Sequence, residues 1–393
     1  MFIIKLYMHL TARRQAAMKV IVAPDSFKGS LSAMEAAQAM AEAIRELDST
    51  IETVLLPAAD GGEGTMNNVV AATAGTLVAH EVEDPLGRKV PAHYGVLGDG
   101  KTCIIEIAEA SGLTLLKEQE LDPLTASSFG TGELLRHALD AGFRTYIVGL
   151  GGSATNDGGA GMLEALGMKF LDQHGRRLKR GGGALGELAE IDAFDFDTRI
   201  GESVFLIACD VENPLIGDQG ASAVFGPQKG APPEMVRQLD ANLQNFANIT
   251  ERLTGMALHQ KKGAGAAGGA GGAMQAFFAG EMKRGIDVVL DAISFHDHLE
   301  TIDLIVTGEG KTDNQTLSGK TPFGVAQAGK RAGKPVLLIS GMVDNKSYRL
   351  LKPYFTEIHS VVGEDVTAEQ SIADPYNQLK IKTKQAVEDY IGK

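Results

Sequence analysis

The segment KVIVAPDSFKGSLSAME, residues 19–35, gives the clearest indication of the fold class. Its first five residues form an apolar run of strand length, and the loop after them carries Asp25 and Lys28. Ser32 and Glu35 have the spacing of a capping box, which predicts that a helix begins there. A buried strand, a short polar loop and a helix in this order indicate the first half of a strand–helix–strand unit.

The same alternation recurs towards both ends of the chain. Residues 51–56 form the next predicted strand, and strands again alternate with helices after residue 303. Such alternation is typical of a parallel sheet with crossover helices. We therefore predict an α/β fold: a Rossmann-like (flavodoxin-like), doubly wound parallel-sheet domain (18–80 plus 288–393) with a second α/β domain (81–287) inserted into it. The active site is expected in a cleft between the two domains.

Length, charge and cysteine content narrow the class of protein. The chain has 393 residues and a formal net charge of −13, which argues against nucleic-acid binding because that partner requires a positive surface. No apolar run reaches the roughly 18 residues that span a bilayer, so no membrane partner is expected. Cys103 and Cys209 are far apart in apolar surroundings, which is typical of reduced thiols in a cytoplasmic protein. Residues 1–17 precede Met18 and the first strand, and are expected to be a dispensable N-terminal extension.

A formal phosphate-loop motif, GVLGDGKT, occurs at residues 95–102. A P-loop needs a strand before it and a helix after it. Here a β-rich run follows, and residues 76–107 as a whole have the pattern of antiparallel hairpins. Residues 98–100 are therefore predicted to be a hairpin turn and not an ATP site.

Two loops match the dinucleotide fingerprint formally, GLGGSA (149–154) and GAGAAG (263–268). The first follows a predicted strand, but the acidic strand end expected about twenty residues later is not evident. An NAD-dependent hydroxy-acid dehydrogenase therefore stays open as an alternative. Loops of this kind offer backbone amides to a phosphate, whereas tight packing around small residues is the other interpretation. We predict that the first loop binds the nucleotide through five residues: Gly151, Gly152, Ser153, Asn156 and Asp157.

Five aspartates lie just after predicted strands or in the glycine loops that follow them: Asp25, Asp60, Asp157, Asp210 and Asp313. Ligands of parallel α/β sheets bind at the carboxyl ends of the strands. Phosphoryl transfer needs carboxylates there, to hold Mg²⁺ and to orient or deprotonate the attacking hydroxyl. The leading candidates for metal ligand or base are Asp210 and Asp313. Asp25 and Asp60 are further catalytic candidates.

Phosphoryl transfer also needs cations that balance the charge of the transferred group. Lys28, in DSFKGS, and Lys320, in SGKTP, flank strand ends and precede helices. We predict that Lys28 is catalytic and that Lys320 contacts the nucleotide phosphates. The alternative contact for either lysine is the carboxylate of the substrate. Lys229 and Lys311 occupy loops of the same kind, although a single loop lysine is more often a solvated surface residue.

Eight longer blocks resemble the bacterial glycerate kinase family and occur in the family's order. They are APDSFKGSLSA (23–33), ADGGEGT (59–65), GTGELL (130–135), GLGGSATNDGGAGM (149–162), CDVENPLIGDQGA (209–221), FGPQKGA (225–231), GAGAAGG (263–269) and GEGKTDNQTLSGKTPFGVA (308–326). The resemblance covers the chain from about Met18 to the C-terminus. One departure is Phe129, which stands where arginine or another residue often precedes GTGEL.

The resemblance implies an enzyme with two different α/β domains that phosphorylates D-glycerate with ATP and Mg²⁺ and yields 2-phosphoglycerate. It does not divide the roles among the aspartates, and the residues alone leave 3-phosphoglycerate open as the product. A non-catalytic sensor of nucleotides or sugar acids is a further alternative, against which the full set of acidic loops argues. The expected partners are D-glycerate and ATP, and a homodimer is compatible with the sequence.

Overall fold

The computed structural model of the chain describes residues 17–62 and 64–392. The predicted N-terminal extension therefore lies outside the described residues, apart from Ala17. No helix in the described ranges is long and apolar enough to cross a membrane.

Strands and helices alternate along most of the chain. The strands are β1 (Lys19–Val22), β2 (Glu52–Leu55), β3 (Thr76–Glu83), β4 (Lys89–Val96), β5 (Thr102–Glu106), β6 (Thr145–Gly149), β7 (Lys169–Leu171), β8 (Glu190–Asp192), β9 (Val204–Ala208), β10 (Glu281–Lys283), β11 (Leu304–Thr307), β12 (Lys311–Thr312), β13 (Val336–Ser340), β14 (Met342–Val343) and β15 (Glu357–Ser360). The α-helices are α1 (Ala33–Leu47), α2 (Thr65–Ala72), α3 (Ala108–Ser111), α4 (Phe129–Asp140), α5 (Ala160–Ala165), α6 (Ala221–Phe225), α7 (Pro233–Thr254), α8 (Ala270–Phe277), α9 (Gly285–Ala292), α10 (Phe295–His298), α11 (Thr321–Arg331), α12 (Asn345–Leu351), α13 (Ala368–Ala373) and α14 (Pro375–Ile391).

The chain divides into two compact units. The first unit consists of the residues up to Ala59 together with Leu290–Lys393, and the second unit is Asp60–Val289. The sequence placed the boundaries at 80/81 and 287/288, so the difference concerns mainly residues 60–80. These residues belong to the second unit because β3 pairs with β4 along its whole length.

The first unit contains a five-stranded, fully parallel sheet in the order β15-β13-β11-β1-β2. Counted by their succession within this unit, the strands have the order 2-1-3-4-5, which is that of flavodoxin-like folds. Val20, Ile21 and Val22 of β1 are all fully buried, as expected for a parallel sheet covered on both faces. Full burial of each such side chain contributes about 1.5–3 kcal/mol. The predicted α/β class is confirmed.

Helix α1 begins where the sequence predicted. The Ser32 hydroxyl accepts the backbone N–H of Glu35 at 3.2 Å, and the Glu35 carboxylate accepts the backbone N–H of Ser32 at 2.8 Å. This capping box satisfies two amides that have no partner inside the helix. It also ends the loop after β1 at a defined point, so that Asp25 and Lys28 lie between a buried strand and an anchored helix.

The second unit contains a six-stranded mixed sheet in the order β10-β9-β6-β5-β4-β3. The first four of these strands are parallel, and β4 and β3 continue the sheet as antiparallel strands. The formal phosphate-loop motif lies at the β4–β5 turn, where the Asp99 carboxylate accepts the backbone N–H groups of Lys101 and Thr102. The predicted hairpin is confirmed, because the chain after Gly100 returns as the antiparallel strand β5, whereas a P-loop would continue directly as a helix.

Candidate active site

The carboxyl ends of β1 and β11 meet in the middle of the first sheet. Strand order reverses between these two strands, and ligands of such sheets bind outside this switch point. Asp25 follows β1, and its backbone N–H donates to the carbonyl of Gly308, which follows β11, at 2.8 Å. The two loops are therefore joined directly. We call Asp25, Glu309, Lys320 and Thr321 the first-unit edge.

Hydroxyl groups surround the carboxylates of the first-unit edge. The Thr321 hydroxyl donates to Asp25 Oδ2 at 2.6 Å, and the backbone N–H of Ser26 donates to Asp25 Oδ1 at 2.6 Å. Lys320, the residue before α11, has its Nζ 3.7 Å from Glu309 Oε2. The predicted residues Asp25 and Lys320 thus belong to one cluster within the first unit.

Glu309 also belongs to this cluster, although it was not among the residues predicted from the sequence. Its side chain is buried and accepts the hydroxyl groups of Thr312 at 2.9 Å and Thr316 at 2.6 Å. Burial raises the pKa of Glu309, the bonds from Thr316 and Thr312 and the charge of Lys320 lower it, and the charge of Asp25 raises it further. A signal was available, because Glu309 is the second residue after β11.

Two other predicted residues of the first unit lie on the outer parts of its loops. Asp313 is half-buried and caps the short 3₁₀ helix Asn314–Ser318 by accepting the backbone N–H of Gln315 at 2.9 Å. Lys311 Nζ lies 3.8 Å from its carboxylate. Lys28 is exposed on the loop after β1. Asp313 therefore has a structural role as a cap in addition to its predicted one.

The second unit brings Asp60 and Asp210 together at the carboxyl ends of its parallel strands. Asp210 follows β9, and its Oδ1 accepts the backbone N–H of Gly285 at 3.1 Å. A Cβ added at Gly61 would lie only 2.8 Å from the Cα of Gly285, so the loop of Asp60 approaches Gly285 too closely for a side chain. We call Asp60, Glu106, Asp210 and Gly285 the second-unit edge.

The carboxylate of Asp210, at the second-unit edge, has a shifted pKa. Desolvation by the surrounding protein and, less strongly, the charge of Asp60 raise its pKa to about 6, whereas the Gly285 N–H lowers it. Asp210 is nevertheless exposed as a residue, so its carboxylate can reach a solvent-borne ligand. A carboxylate with these properties can accept a proton near neutral pH.

Glu106 is a second carboxylate that the sequence analysis missed. It ends β5, is buried, and accepts the backbone N–H groups of Gly64 at 3.2 Å and Met66 at 2.7 Å. These amides begin α2 and would otherwise be suited to bind a phosphate. The protein's own carboxylate therefore occupies the amide of Gly64, in the ADGGEGT block, and that of Met66, directly after it.

The GLGGSATNDGG loop after β6 is largely interior. Asp157 is fully buried, and its carboxylate accepts the hydroxyl and the N–H of Ser128, each at 2.8 Å, and the N–H groups of Gly159 at 3.1 Å and Gly161 at 3.2 Å. Four protein donors leave this carboxylate little capacity for a ligand. Ser153 and Asn156 are also buried, whereas Gly151 is half-buried and Gly152 is exposed.

Neither dinucleotide fingerprint has the structural context of an NAD site. The strand that follows the first loop, β7, pairs with β8 in an antiparallel ribbon, and so does not continue a parallel βαβ unit. The second loop is a packing joint, in which the Gly268 carbonyl accepts the N–H of Gly158 at 2.9 Å. A Cβ at Gly268 would lie 2.0 Å from the Thr155 carbonyl, which explains the glycine there.

Comparison with known proteins identifies the family. A profile of the glycerate kinase family matches residues 20–390. The chain belongs to the glycerate kinase family.

Relatives and a solved structure agree with this membership. The chain is 46% identical over 354 residues to a glycerate kinase of Bacillus subtilis (90% of this chain, 93% of the relative), and 44% identical over 362 residues to the glycerate 2-kinase of Escherichia coli (92% and 95%). It is similar to the crystal structure of a protein assigned as glycerate kinase 2 from Salmonella typhimurium LT2, with a TM-score of 0.88, 44% identity, and coverage of 96% of this chain and 99% of that one. The resemblance that the sequence blocks indicated is confirmed, and with it the expectation of a glycerate kinase.

The two predicted metal ligands of this glycerate kinase lie in different units, Asp210 in the second and Asp313 in the first. Across residues 17–62 and 64–392, no group of three or more histidine, cysteine, aspartate or glutamate side chains could hold a metal ion. Mg²⁺ is usually bound through one or two carboxylates together with substrate phosphates, so a closed protein cage is not required. Paired carboxylates such as Asp60 and Asp210 fit that mode of binding.

Proposed function

We propose that this glycerate kinase transfers the γ-phosphoryl group of ATP to the C2 hydroxyl of D-glycerate, with 2-phosphoglycerate and ADP as products. The observation that carries the proposal is Asp210, an exposed carboxylate with a pKa near 6 at the carboxyl ends of a parallel sheet. The glycerate 2-kinase of Escherichia coli, 44% identical to this chain, supports the choice of hydroxyl.

Asp210 is proposed as the general base. A base whose pKa lies near the operating pH combines a large ionised fraction with a sufficient affinity for the proton of the hydroxyl. The single backbone bond from Gly285 holds the carboxylate in place and leaves acceptor capacity for the substrate. Asp210 would take up the proton of the C2 hydroxyl as the phosphoryl group is transferred.

Asp60 is proposed to hold Mg²⁺, together with the phosphate groups of ATP. The charges of Asp60 and Asp210 repel each other in the described structure, and this repulsion contributes to the raised pKa of Asp210. A divalent cation would relieve this repulsion, and carboxylate oxygens are the ligands that Mg²⁺ prefers. When bound, Mg²⁺ would neutralise charge on the phosphate oxygens. Asp313 stays a predicted ligand.

The anionic groups of the substrates need cations and amides. Lys320, half-buried beside Glu309, is proposed to contact phosphate, and the exposed Lys28 is proposed to contact the carboxylate of glycerate. The accessible backbone of Gly151 and Gly152 is proposed to contact the nucleotide, with Ser153, Asn156 and Asp157 shaping the loop from inside.

We also propose that the enzyme works in the cytoplasm. Cys103 and Cys209 are free thiols, and burial raises the pKa of Cys209 to about 11, so this thiol is protonated and unreactive at neutral pH. Free buried thiols are usual in a reducing compartment.

A phosphorus NMR spectrum tests the proposal. The protein is incubated with D-glycerate and Mg-ATP, and ADP with 2-phosphoglycerate is expected. The appearance of 3-phosphoglycerate would overturn the choice of hydroxyl, and ATP that stays unconsumed would overturn the kinase activity. The same mixture with NAD replacing ATP should show no change of nicotinamide absorbance.

A further inference from the structure

Lys229 is a lysine that the phosphoryl-transfer scheme does not use. It ends the short 3₁₀ helix Pro227–Lys229 of the second unit, and only 2% of its surface is exposed. Its Nζ donates to the Ser153 hydroxyl at 3.0 Å and to the Thr155 carbonyl at 2.6 Å. A lysine in a GPQKG loop would ordinarily be expected at the surface, so its burial needs a reason.

The contacts of the Lys229 ammonium group within the described ranges are neutral oxygens, the Ser153 hydroxyl and the Thr155 carbonyl, and no ion pair with a carboxylate is found there. Asp157 is the charged group that acts on it, but the bonds of that carboxylate go to Ser128 and to the N–H groups of Gly159 and Gly161. Burial therefore lowers the pKa of Lys229 to about 7, while the charge of Asp157 raises it. An ammonium group kept in such a place is costly for the free protein.

The partners of Lys229 all belong to the loop after β6. The loop is also tied on its other side, where Ala154 N–H donates to the Ser111 carbonyl at 2.8 Å and Leu113 N–H donates to the Gly152 carbonyl at 2.9 Å. Lys229 thus completes the support of a loop whose accessible part is Gly151 and Gly152.

We propose that Lys229 is a positioning residue for nucleotide binding, which shapes the loop through Ser153 and Thr155 and supplies a positive charge beneath the phosphate groups. This inference rests on the proposed function, in which the backbone of Gly151 and Gly152 contacts the nucleotide. Its consequence is a linkage between nucleotide and proton, because an anion bound nearby stabilises the protonated form of Lys229.

The sign of this linkage depends on pH. At pH 8 Lys229 is mostly neutral in the free protein, so binding of an anion draws a proton from solvent. At pH 6 Lys229 is already protonated, and little uptake is expected. The phosphates of a nucleotide are fully ionised at pH 8 and do not themselves take up a proton under these conditions.

Isothermal titration calorimetry with Mg-ADP tests the inference in buffers of different ionisation enthalpy. For the unmodified protein we expect a measurable uptake of up to one proton per nucleotide at pH 8, falling towards zero at pH 6. Binding at pH 8 without any proton uptake would overturn the inference and leave the proposed function intact. If Mg-ADP does not bind at all, the nucleotide site itself is wrong and the inference falls with it.

Variants separate Lys229 from other titrating groups. Lys229→Arg stays charged, so its Mg-ADP binding should persist without the proton uptake, and Lys229→Met should bind at least about tenfold more weakly. Asp210→Asn is the matched control, because the pKa of Asp210 is also shifted, to about 6, and this variant should retain the uptake. Uptake that persists in Lys229→Arg but disappears in Asp210→Asn would assign the linkage to Asp210 and overturn the inference.

Discussion

Asp210 and Asp157 belong to the same unit and follow strands of the same sheet, yet their surroundings differ in kind. Asp157 is fully buried and accepts four hydrogen bonds from Ser128, Gly159 and Gly161. Asp210 is exposed, accepts one bond from Gly285, and has its pKa raised to about 6. The supply of hydrogen-bond donors, and not the position after a strand, therefore separates a structural carboxylate from a reactive one.

Glu309 of the first unit is an intermediate case. It is buried like Asp157, but its donors are two hydroxyl groups and its pKa is raised, as that of Asp210 is. Hydroxyl groups can also accept, so they tolerate a protonated carboxyl better than backbone amides do. In burial, donors and pKa, Glu309 therefore lies between the structural carboxylate of Asp157 and the reactive carboxylate of Asp210.

The largest effect is expected for Asp210→Asn. Removal of a general base lowers kcat by about 10²-fold or more, because the amide cannot take the hydroxyl proton. Steady-state kinetics with D-glycerate and Mg-ATP measure this loss. Asp218→Asn, an exposed aspartate of the same unit, is the control and should leave kcat unchanged. An Asp210→Asn enzyme with near-native kcat would remove Asp210 from the mechanism.

Asp157→Asn should act on stability instead. The N–H groups of the new side-chain amide would face hydrogen-bond donors of the protein, so several of the four hydrogen bonds could not form. We expect the free energy of unfolding to fall by about 2–3 kcal/mol. Urea denaturation followed by circular dichroism measures this difference. Asp210→Asn serves as the comparison, since its stability should stay close to that of the unmodified protein. Equal stability of both variants would show that the four hydrogen bonds of Asp157 do not distinguish it from Asp210.

The pH dependence of activity should reveal Asp210 directly. The dependence of kcat/KM on pH reflects the ionisation of groups in the free enzyme. Below pH 6, kcat/KM should fall about tenfold per pH unit as Asp210 becomes protonated. Asp210→Asn should lack this limb in its residual activity. A rate that stays constant down to pH 5 would contradict the role of Asp210 as base.

The smallest effect is expected for Glu309→Gln. The amide oxygen can still accept from Thr312 and Thr316, but Lys320 loses a neighbouring charge that helps to hold it. We expect KM for Mg-ATP to rise by about tenfold or less, with kcat within about threefold of the native value. Glu300→Gln, an exposed glutamate of the first unit, is the control. A fall of kcat comparable to that of Asp210→Asn would make Glu309 the more reactive carboxylate.

Much of the fold could be predicted from local patterns. The capping box of Ser32 and Glu35 and the hairpin turn at Gly98 to Gly100 depend on residues close in sequence. These features can therefore be predicted from a short segment of the sequence. The assignment of β3 depends on its pairing with β4, which residues close in sequence do not reveal.

The amino-acid pattern alone indicated the α/β class and the family, and it predicted the loops at which the chemistry takes place. Residue types at strand ends and long ordered motifs carry that information without coordinates. Which charged groups are available to a ligand follows from the folded chain. Glu106 is occupied by amides forty or more residues away in the chain, Asp157 is enclosed by Ser128, and Lys229 is buried against Ser153. The physical reason is that solvation and donor supply, which set the reactivity of a charged group, come from residues distant in sequence.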